Sequence, residues 1–275
     1  MDSQGTYGSG STVAAGGAIV GGLPQLDFSG PQLDPSKYIA EGTSWRVTLA
    51  WIAIGVLSLV LTLSTFGAIW LFVILGVILR WWMMKRLHTL LHGSGIHVND
   101  EQFPELWSVI KQMAARVGLK ELPQVYIVED ATANGAAFKL GKAHYIMLTD
   151  NMIHGPMRSG DFRMLGFVLA HELAHIALGH TAGIRGVLGN FPALRRLDEL
   201  SADALSAALI NDRNLAIKAI ALLTVGPELL PSLNLEALAR QAREVAANQK
   251  AWKKAEQPLS HPLLLRRIAL LLASN

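Results

Sequence analysis

The stretch His171-Glu-Leu-Ala-His175 contains the side chains of this sequence that are best suited to chemistry. On a helix, two histidines four positions apart lie on one face, one turn above the other, so both imidazoles can reach the same metal ion. Glu172 lies about 100° around that helix from His171, where it can reach a metal-activated water without binding the metal. The pattern predicts a metal site with an adjacent general base, an arrangement that hydrolyses peptide bonds.

A zinc ion that catalyses hydrolysis has three protein ligands and leaves its fourth position to water. A third histidine at position 181 is excluded because Thr181 stands there, and Leu178 replaces the glycine of that pattern. His180 lies nine residues after His171, so on a continuing helix it would point to the opposite face. The third ligand is therefore expected to be a carboxylate.

The carboxylate must come from further along the chain. Glutamates nineteen or twenty positions after His175 are missing, since Leu194 and Arg195 occupy those positions. The next acidic residues belong to the stretch Asp198-Glu-Leu-Ser-Ala-Asp203, in which Glu199 and Asp203 share a helix face. One of these two carboxylates can bind the metal while the other accepts the free N–H of a ligating histidine.

Together these motifs resemble the integral-membrane zinc metallopeptidases, which include the heat-shock membrane protease HtpX, the CAAX prenyl proteases and a mitochondrial inner-membrane quality-control protease. The resemblance extends over roughly residues 100 to 270. It rests on His171-Glu-Leu-Ala-His175, Glu199-Leu-Ser-Ala-Asp203, Leu122-Pro-Gln-Val-Tyr-Ile127, Asn134, Ser260-His-Pro262 and Arg267.

The resemblance implies one zinc ion per chain, bound by His171, His175 and Glu199. It assigns the role of catalytic base to Glu172. Asp203 would then support a ligand from behind.

The resemblance also implies roles for three residues outside the central motifs. His261 and Arg267 match positions that lie near the active site and help to stabilise the oxyanion by donating hydrogen bonds. Asn134 is similar to an asparagine beside an edge strand that binds peptide substrate in extended form. Here the segment reads Asn134-Gly-Ala-Ala-Phe138, with the phenylalanine displaced from the family pattern.

An uncharged run from Val47 to Leu79 indicates a membrane segment. As one helix it would be about 50 Å long, against a hydrocarbon core of about 30 Å. We therefore expect a hairpin of two short transmembrane helices that turns near Ser64, Thr65 and Gly67, in preference to one tilted crossing. Tryptophans at both ends of the run suit a membrane interface.

Basic residues flank the apolar run, whereas its expected turn has none. The positive-inside rule then places both ends, and the domain that follows, in the cytoplasm. The protein is expected to lie in the cell (inner) membrane and to be multi-pass, with the lipid bilayer and a peptide substrate as its partners.

Composition excludes several other classes of function. The chain has no cysteine, so disulfides, thiolate metal ligands and a cysteine nucleophile are absent. Only 16% of residues are charged and 51% are hydrophobic, and no basic stripe interleaved with aromatic residues or glycine-rich phosphate loop occurs. Binding of nucleic acid or nucleotides therefore has no support.

The expected fold is mainly α with a small β-sheet (α+β), a zincin-like metallopeptidase domain after an N-terminal transmembrane hairpin. Residues 1–44 are predicted to form a flexible tail rich in Gly, Ser and Pro, 45–83 the membrane segment, 84–96 a juxtamembrane connection and 97–275 the metallopeptidase domain. Strands are predicted at 124–129 and 144–149, with a turn or broken edge strand between them. Helices are predicted at 101–117, where Asn99 and Asp100 would form the cap, and at 161–180, 193–211, 213–224, 234–252 and 262–273.

The leading functional hypothesis is a membrane-anchored zinc endopeptidase that acts in the quality control of unfolded or membrane proteins. A catalytically silent scaffold with the same fold is one alternative, although every catalytic position is filled. A processing protease of narrow specificity is another, although the chain lacks the many membrane helices that would enclose its substrate.

Overall fold

A computed structural model gives the fold and describes residues 26, 28, 30–189, 191–248, 252, 254–259 and 261–273. These residues form a mainly helical protein with one small four-stranded sheet, which confirms the predicted class. Residues 1–25 of the predicted tail, and Ser260 of the Ser260-His-Pro262 motif, lie outside the described residues.

The uncharged run forms two helices, α1 (Thr43–Ser64) and α2 (Ile69–Ser94). The chain turns between them at the predicted place, where the Gly67 N–H donates to the carbonyl of Thr62 at 2.8 Å. α2 continues without a break through most of the connection predicted at 84–96. Many large apolar side chains of both helices are exposed, so this part of the molecule presents an apolar surface.

Among the described residues, α1 and the stretch Arg213–Ser232 are long and apolar enough to cross a membrane, with mean hydropathies of 2.2 and 1.4. They differ in their surroundings, since the most apolar window of α1 is 0% buried and that of the second stretch is 44% buried. α2 does not belong to this pair because Arg80, Lys85 and Arg86 interrupt its apolar sequence. Length and composition alone therefore single out a half-buried core helix as well as α1.

The sheet follows α2 and consists of β1 (Ile96–Val98), β2 (Gln124–Val128), β3 (Gly135–Leu140) and β4 (Ala143–Thr149). Their order is β1-β2-β4-β3, with β2 and β4 parallel and both outer pairs antiparallel. The segment for which a turn and an edge strand both remained open thus forms the edge strand β3.

The helices after α2 are α3 (Pro104–Arg116), α4 (Asp150–Arg158), α5 (Arg163–Ala177), α6 (Gly183–Leu188), α7 (Pro192–Ile210), α8 (Arg213–Leu229), α9 (Leu235–Ala247) and α10 (Leu264–Ala273). α5 is the central one and contacts α3 and α4. α5 packs against α7, α8 and β3, and its residues from Met164 to Ala170 are all buried. This packing fixes the position of the carboxyl-terminal half of α5, which includes His171 and His175.

The start of α3 differs from the prediction, and Asn99 and Asp100 do not cap it. The helix begins at Pro104, whose fixed φ suits the first helical position. The side chain of Asn99 instead accepts the Glu101 N–H at 2.8 Å and closes a separate turn before the helix.

The described part of the predicted tail is in contact with the main domain. Phe28 is 4% exposed within the hydrophobic core, and the Leu33 N–H donates to the Arg116 carbonyl at 2.7 Å. The Ala40 N–H donates to Ser201 Oγ at 2.8 Å. This segment thereby ties the start of α1 to the middle of α7.

Candidate metal centre

α5 places His171 and His175 side by side, as the four-residue spacing predicts. Their Nε2 atoms are 3.2 Å apart, and the two rings lie at 77° with centroids 4.8 Å apart. The side chains are 12% and 15% exposed, so a small opening remains on one side. Two nitrogen donors therefore point at one place from a rigid buried helix.

α7 adds the carboxylate of Glu199 to this pair. Its Oε2 lies 3.3 Å from His171 Nε2, and its Oε1 lies 3.8 Å from His175 Nε2. One ligand atom from each of the three residues lies within 4.8 Å of the others. Among the described residues, the structure thus brings together the three metal ligands that the resemblance implied.

The donor set fits a divalent metal ion. A tetrahedral ion with bonds of about 2.0–2.1 Å holds its ligand atoms about 3.3 Å apart, close to the separations seen here. The pKa of His175 is lowered to about 4, chiefly by burial and then by nearby His171, so this imidazole is neutral and able to bind a metal.

Asp203 and Arg267 support His171 from behind. The Nδ1 atom of His171 lies 3.1 Å from Asp203 Oδ1, and Arg267 donates two hydrogen bonds of 2.7 Å to the same carboxylate. Burial opposes protonation of His171, but the hydrogen bonds to Asp203 and Glu199 outweigh it and raise the pKa to about 10. A metal ion must therefore displace a proton from His171 when it binds.

Glu172 is buried beside these residues but is not one of the three whose ligand atoms converge. It is 7% exposed, and its pKa is raised to about 7, chiefly because burial disfavours the charged carboxylate. The backbone N–H of Ala137 in β3 donates to it and opposes part of that rise. A base with a pKa near neutrality is well matched to moving protons at physiological pH.

Gly135 permits β3 to approach Glu172. A Cβ atom at position 135 would lie only 2.8 Å from Glu172 Oε1, closer than real Cβ contacts. Steric space therefore explains why a glycine stands at position 135, where the segment departs from the family pattern. Sequence reasoning missed this role, although the departure from the pattern marked the position.

β3 lines the cleft, and its edge that is not paired with β4 is available for hydrogen bonds from alternate residues. Asn134 is paired inward, because Thr149 Oγ1 accepts its N–H at 2.8 Å and the Thr149 N–H donates to its carbonyl at 2.9 Å. In an antiparallel pair the backbone groups alternate, so those of Gly135, Ala137 and Lys139 face away from β4. Asn134 itself is exposed and lines the cleft with its side chain.

His261 contacts the same carboxylate, that of Glu199, as His171 and His175 do. Its Nδ1 is 3.2 Å from Glu199 Oε2, and its side chain is 51% exposed at the mouth of the site. Hydrogen bonds from His171 and His261 outweigh the effect of burial and hold the pKa of Glu199 well below its usual range. The resemblance implied that both Arg267 and His261 stabilise the oxyanion, but the two lie in different surroundings. Arg267 is hydrogen-bonded to Asp203, whereas His261 faces the opening of the site.

The expectation that His180 points to the opposite face is wrong. α5 ends at Ala177, and Gly179 with φ 73° turns the chain back, so that the His180 N–H donates to the His175 carbonyl at 2.9 Å. The His180 Nδ1 atom then lies 3.0 Å from His175 Nδ1. The glycine before His180 was the signal that the helix would end before this residue.

A cleft of about 660 Å³ runs past these groups. Its lining combines the ligands with the β3 segment from Asn134 to Lys139 and with Leu223 of α8. Arg80 and Met84 of α2 also contribute, so the cleft extends to the helical hairpin. Such a cleft can hold an extended peptide between β3 and the metal position.

Comparison with known proteins agrees with this geometry. Residues 100–189 match the family model described as Peptidase family M48. This matched segment covers about a third of the chain. The match includes His171, Glu172 and His175, ends before Glu199, and confirms the resemblance to the zinc metallopeptidases over the M48-like segment.

Two further comparisons complete this result. The crystal structure of S. mikatae Ste24p aligns with 82% of this chain and 67% of its own, at 16% sequence identity and a TM-score of 0.41. No curated protein matches the chain.

Proposed function

We propose that the protein is a membrane-anchored zinc endopeptidase that cleaves extended segments of unfolded or membrane proteins. The observation that carries this proposal is the convergence of His171, His175 and Glu199, with Glu172 buried beside them. The Peptidase family M48 match, which includes His171, Glu172 and His175 but not Glu199, supports it.

Zinc held by the three ligands would polarise the scissile carbonyl and activate a water. Glu172 accepts a proton from the attacking water and passes it to the leaving amine. Arg267 keeps Asp203 ionised behind His171, while His261 is free to donate to the negative charge that develops on the carbonyl oxygen.

The substrate strand lies along β3. The outward backbone groups of Gly135 and Lys139 bind it by main-chain hydrogen bonds, which give affinity without demanding a sequence. Asn134 lies at the end of this edge and contacts the substrate with its side chain. Binding of this kind suits a quality-control enzyme with many substrates.

The helical hairpin is the proposed membrane anchor. Its exposed apolar side chains support a position in lipid, and its flanking basic residues support a cytoplasmic active site in the inner membrane. α2 carries Arg80 and Met84 into the cleft, which brings cleavage close to the membrane surface.

The test is Glu172→Gln in the full chain purified in detergent, assayed on an unfolded model protein. The expected loss of cleavage is about 10²- to 10⁴-fold, because the proton acceptor is removed while the metal ligands remain. Glu244→Gln, which changes an exposed glutamate of α9, is the matched control and retains full activity. Cleavage by the Glu172 variant at the native rate would refute the mechanism, and a native protein that binds zinc but never cleaves would be a scaffold.

A further inference from the structure

The two histidine ligands are supported by similar chains of contacts that differ by one residue. His171 Nδ1 faces Asp203, which pairs with an arginine, at 3.1 Å. His175 Nδ1 instead faces His180 Nδ1 at 3.0 Å. His180 Nε2 lies 3.4 Å from Asp198 Oδ1, and this carboxylate also pairs with an arginine, Arg185, at 2.5 Å.

The geometry allows one arrangement of hydrogens along the contacts from His175 through His180 to Asp198. His175 directs Nε2 at the metal position, so its Nδ1 carries the hydrogen and donates it. His180 Nδ1 must then accept, because two donors cannot face each other at 3.0 Å. The remaining hydrogen of His180 is on Nε2, which faces the carboxylate of Asp198.

His180 is held firmly enough to orient its neighbour. Its side chain is 8% exposed, and its ring packs against that of His175 with the centroids 5.1 Å apart and the planes at 65°. Its own N–H donates to the His175 carbonyl at 2.9 Å, across the turn made by Gly179. The backbone and the ring of His180 thus both contact the residue that it would orient.

We propose that His180 is a positioning residue that fixes the ring orientation and the proton-bearing nitrogen of His175, and that Asp198 and Arg185 hold His180 in place. The inference rests on the metal site of the proposed function and assigns a role to a histidine outside the ligand set. A partner that holds a ligating histidine in this way commonly raises metal affinity by about 10- to 100-fold.

The test compares His180→Phe with His180→Asn in the full chain purified in detergent. Phenylalanine keeps a ring but lacks an acceptor, whereas the Asn oxygen is attached at the position of Nδ1 and still accepts from His175. Competition with a chelator measures the zinc dissociation constant at fixed pH, and thermal unfolding of the metal-free forms checks the fold. Affinity is expected to fall about 10- to 100-fold in the Phe variant and by clearly less in the Asn variant, which keeps the acceptor but loses the link to Asp198.

Asp198→Asn provides a second arm that does not depend on the Phe variant folding. Alone it is expected to weaken zinc binding, but in the His180→Asn background, where the link to Asp198 is already lost, it is expected to add nothing. Equal effects of Asp198→Asn in both backgrounds, or unchanged affinity in a folded His180→Phe variant, would overturn the proposal. A native protein that binds no zinc would refute the proposed function itself, so the two failures are distinguishable.

Discussion

α1 and α8 have similarly apolar sequences, but they occupy opposite surroundings. α8 packs beside α5, and Ile220 in its middle is 0% exposed, whereas Leu63 of α1 is 67% exposed. An apolar helix buries its surface either in protein or in lipid, and sequence alone does not distinguish the two. α8 therefore belongs to the scaffold of the site, whereas the described residues leave the apolar surface of α1 uncovered.

The largest expected difference between α1 and α8 is in how much the truncation of one apolar side chain lowers the free energy of unfolding. Ile220→Ala is expected to lower the free energy of unfolding by about 2–5 kcal/mol, because it removes buried atoms and leaves a cavity. Leu63→Ala is expected to change it by less than about 0.5 kcal/mol in detergent. Denaturant unfolding measures both, and an equal loss would show that protein covers α1 as it covers α8.

A charge introduced into each apolar helix sharpens the same comparison. Leu57→Arg in α1 is expected to impair membrane insertion, because an arginine near the centre of a membrane helix costs about 2.5–3.5 kcal/mol. Leu229→Arg near the end of α8 is the matched control and is expected to leave the protein in the membrane. Alkaline extraction of membranes measures both, and normal retention of the Leu57 variant would argue against α1 as an anchor.

Gly135→Ala tests the site without touching either apolar helix. The added Cβ would meet Glu172 Oε1 at 2.8 Å, so the carboxyl group or β3 must shift, and cleavage is expected to slow by up to about hundredfold. Gly76→Ala in α2, where an added Cβ meets nothing within 4 Å, is the control. Native activity of the Gly135 variant would mean that β3 does not lie against the base as described.

The pH dependence of cleavage gives the smallest expected effect. Burial raises the pKa of Glu172 to about 7, and only the deprotonated form can accept the proton of water. The rate is therefore expected to rise with pH, by at most about tenfold between pH 6 and 7, since a nearby metal cation moves this pKa downward. A rate that falls over this interval would exclude Glu172 as the base.

The sequence was informative wherever one period or one motif dominated. α5 and α7 follow from apolar periodicity, and the four-residue spacings place His171 beside His175 and Glu199 beside Asp203. The choice of Glu199 as the metal ligand needed the family resemblance, because spacing alone left Asp203 equally suitable.

Other features depended on tertiary contacts or on single backbone angles. β1 was missed because three residues are too few to show a period, and α4 because Gly155 and Pro156 interrupt its pattern. The position of His180 required knowing that α5 ends at Ala177, two residues before the turn at Gly179.

The central claim is that His171, His175 and Glu199 hold one zinc ion. Elemental analysis of the purified full chain tests it most directly, comparing the native protein with Glu199→Ala and with Glu244→Ala as the exposed control. The account predicts about one zinc per chain in the native and control proteins and a strong loss in the Glu199 variant. A folded native protein without bound metal, or a Glu199 variant with undiminished zinc, would contradict it.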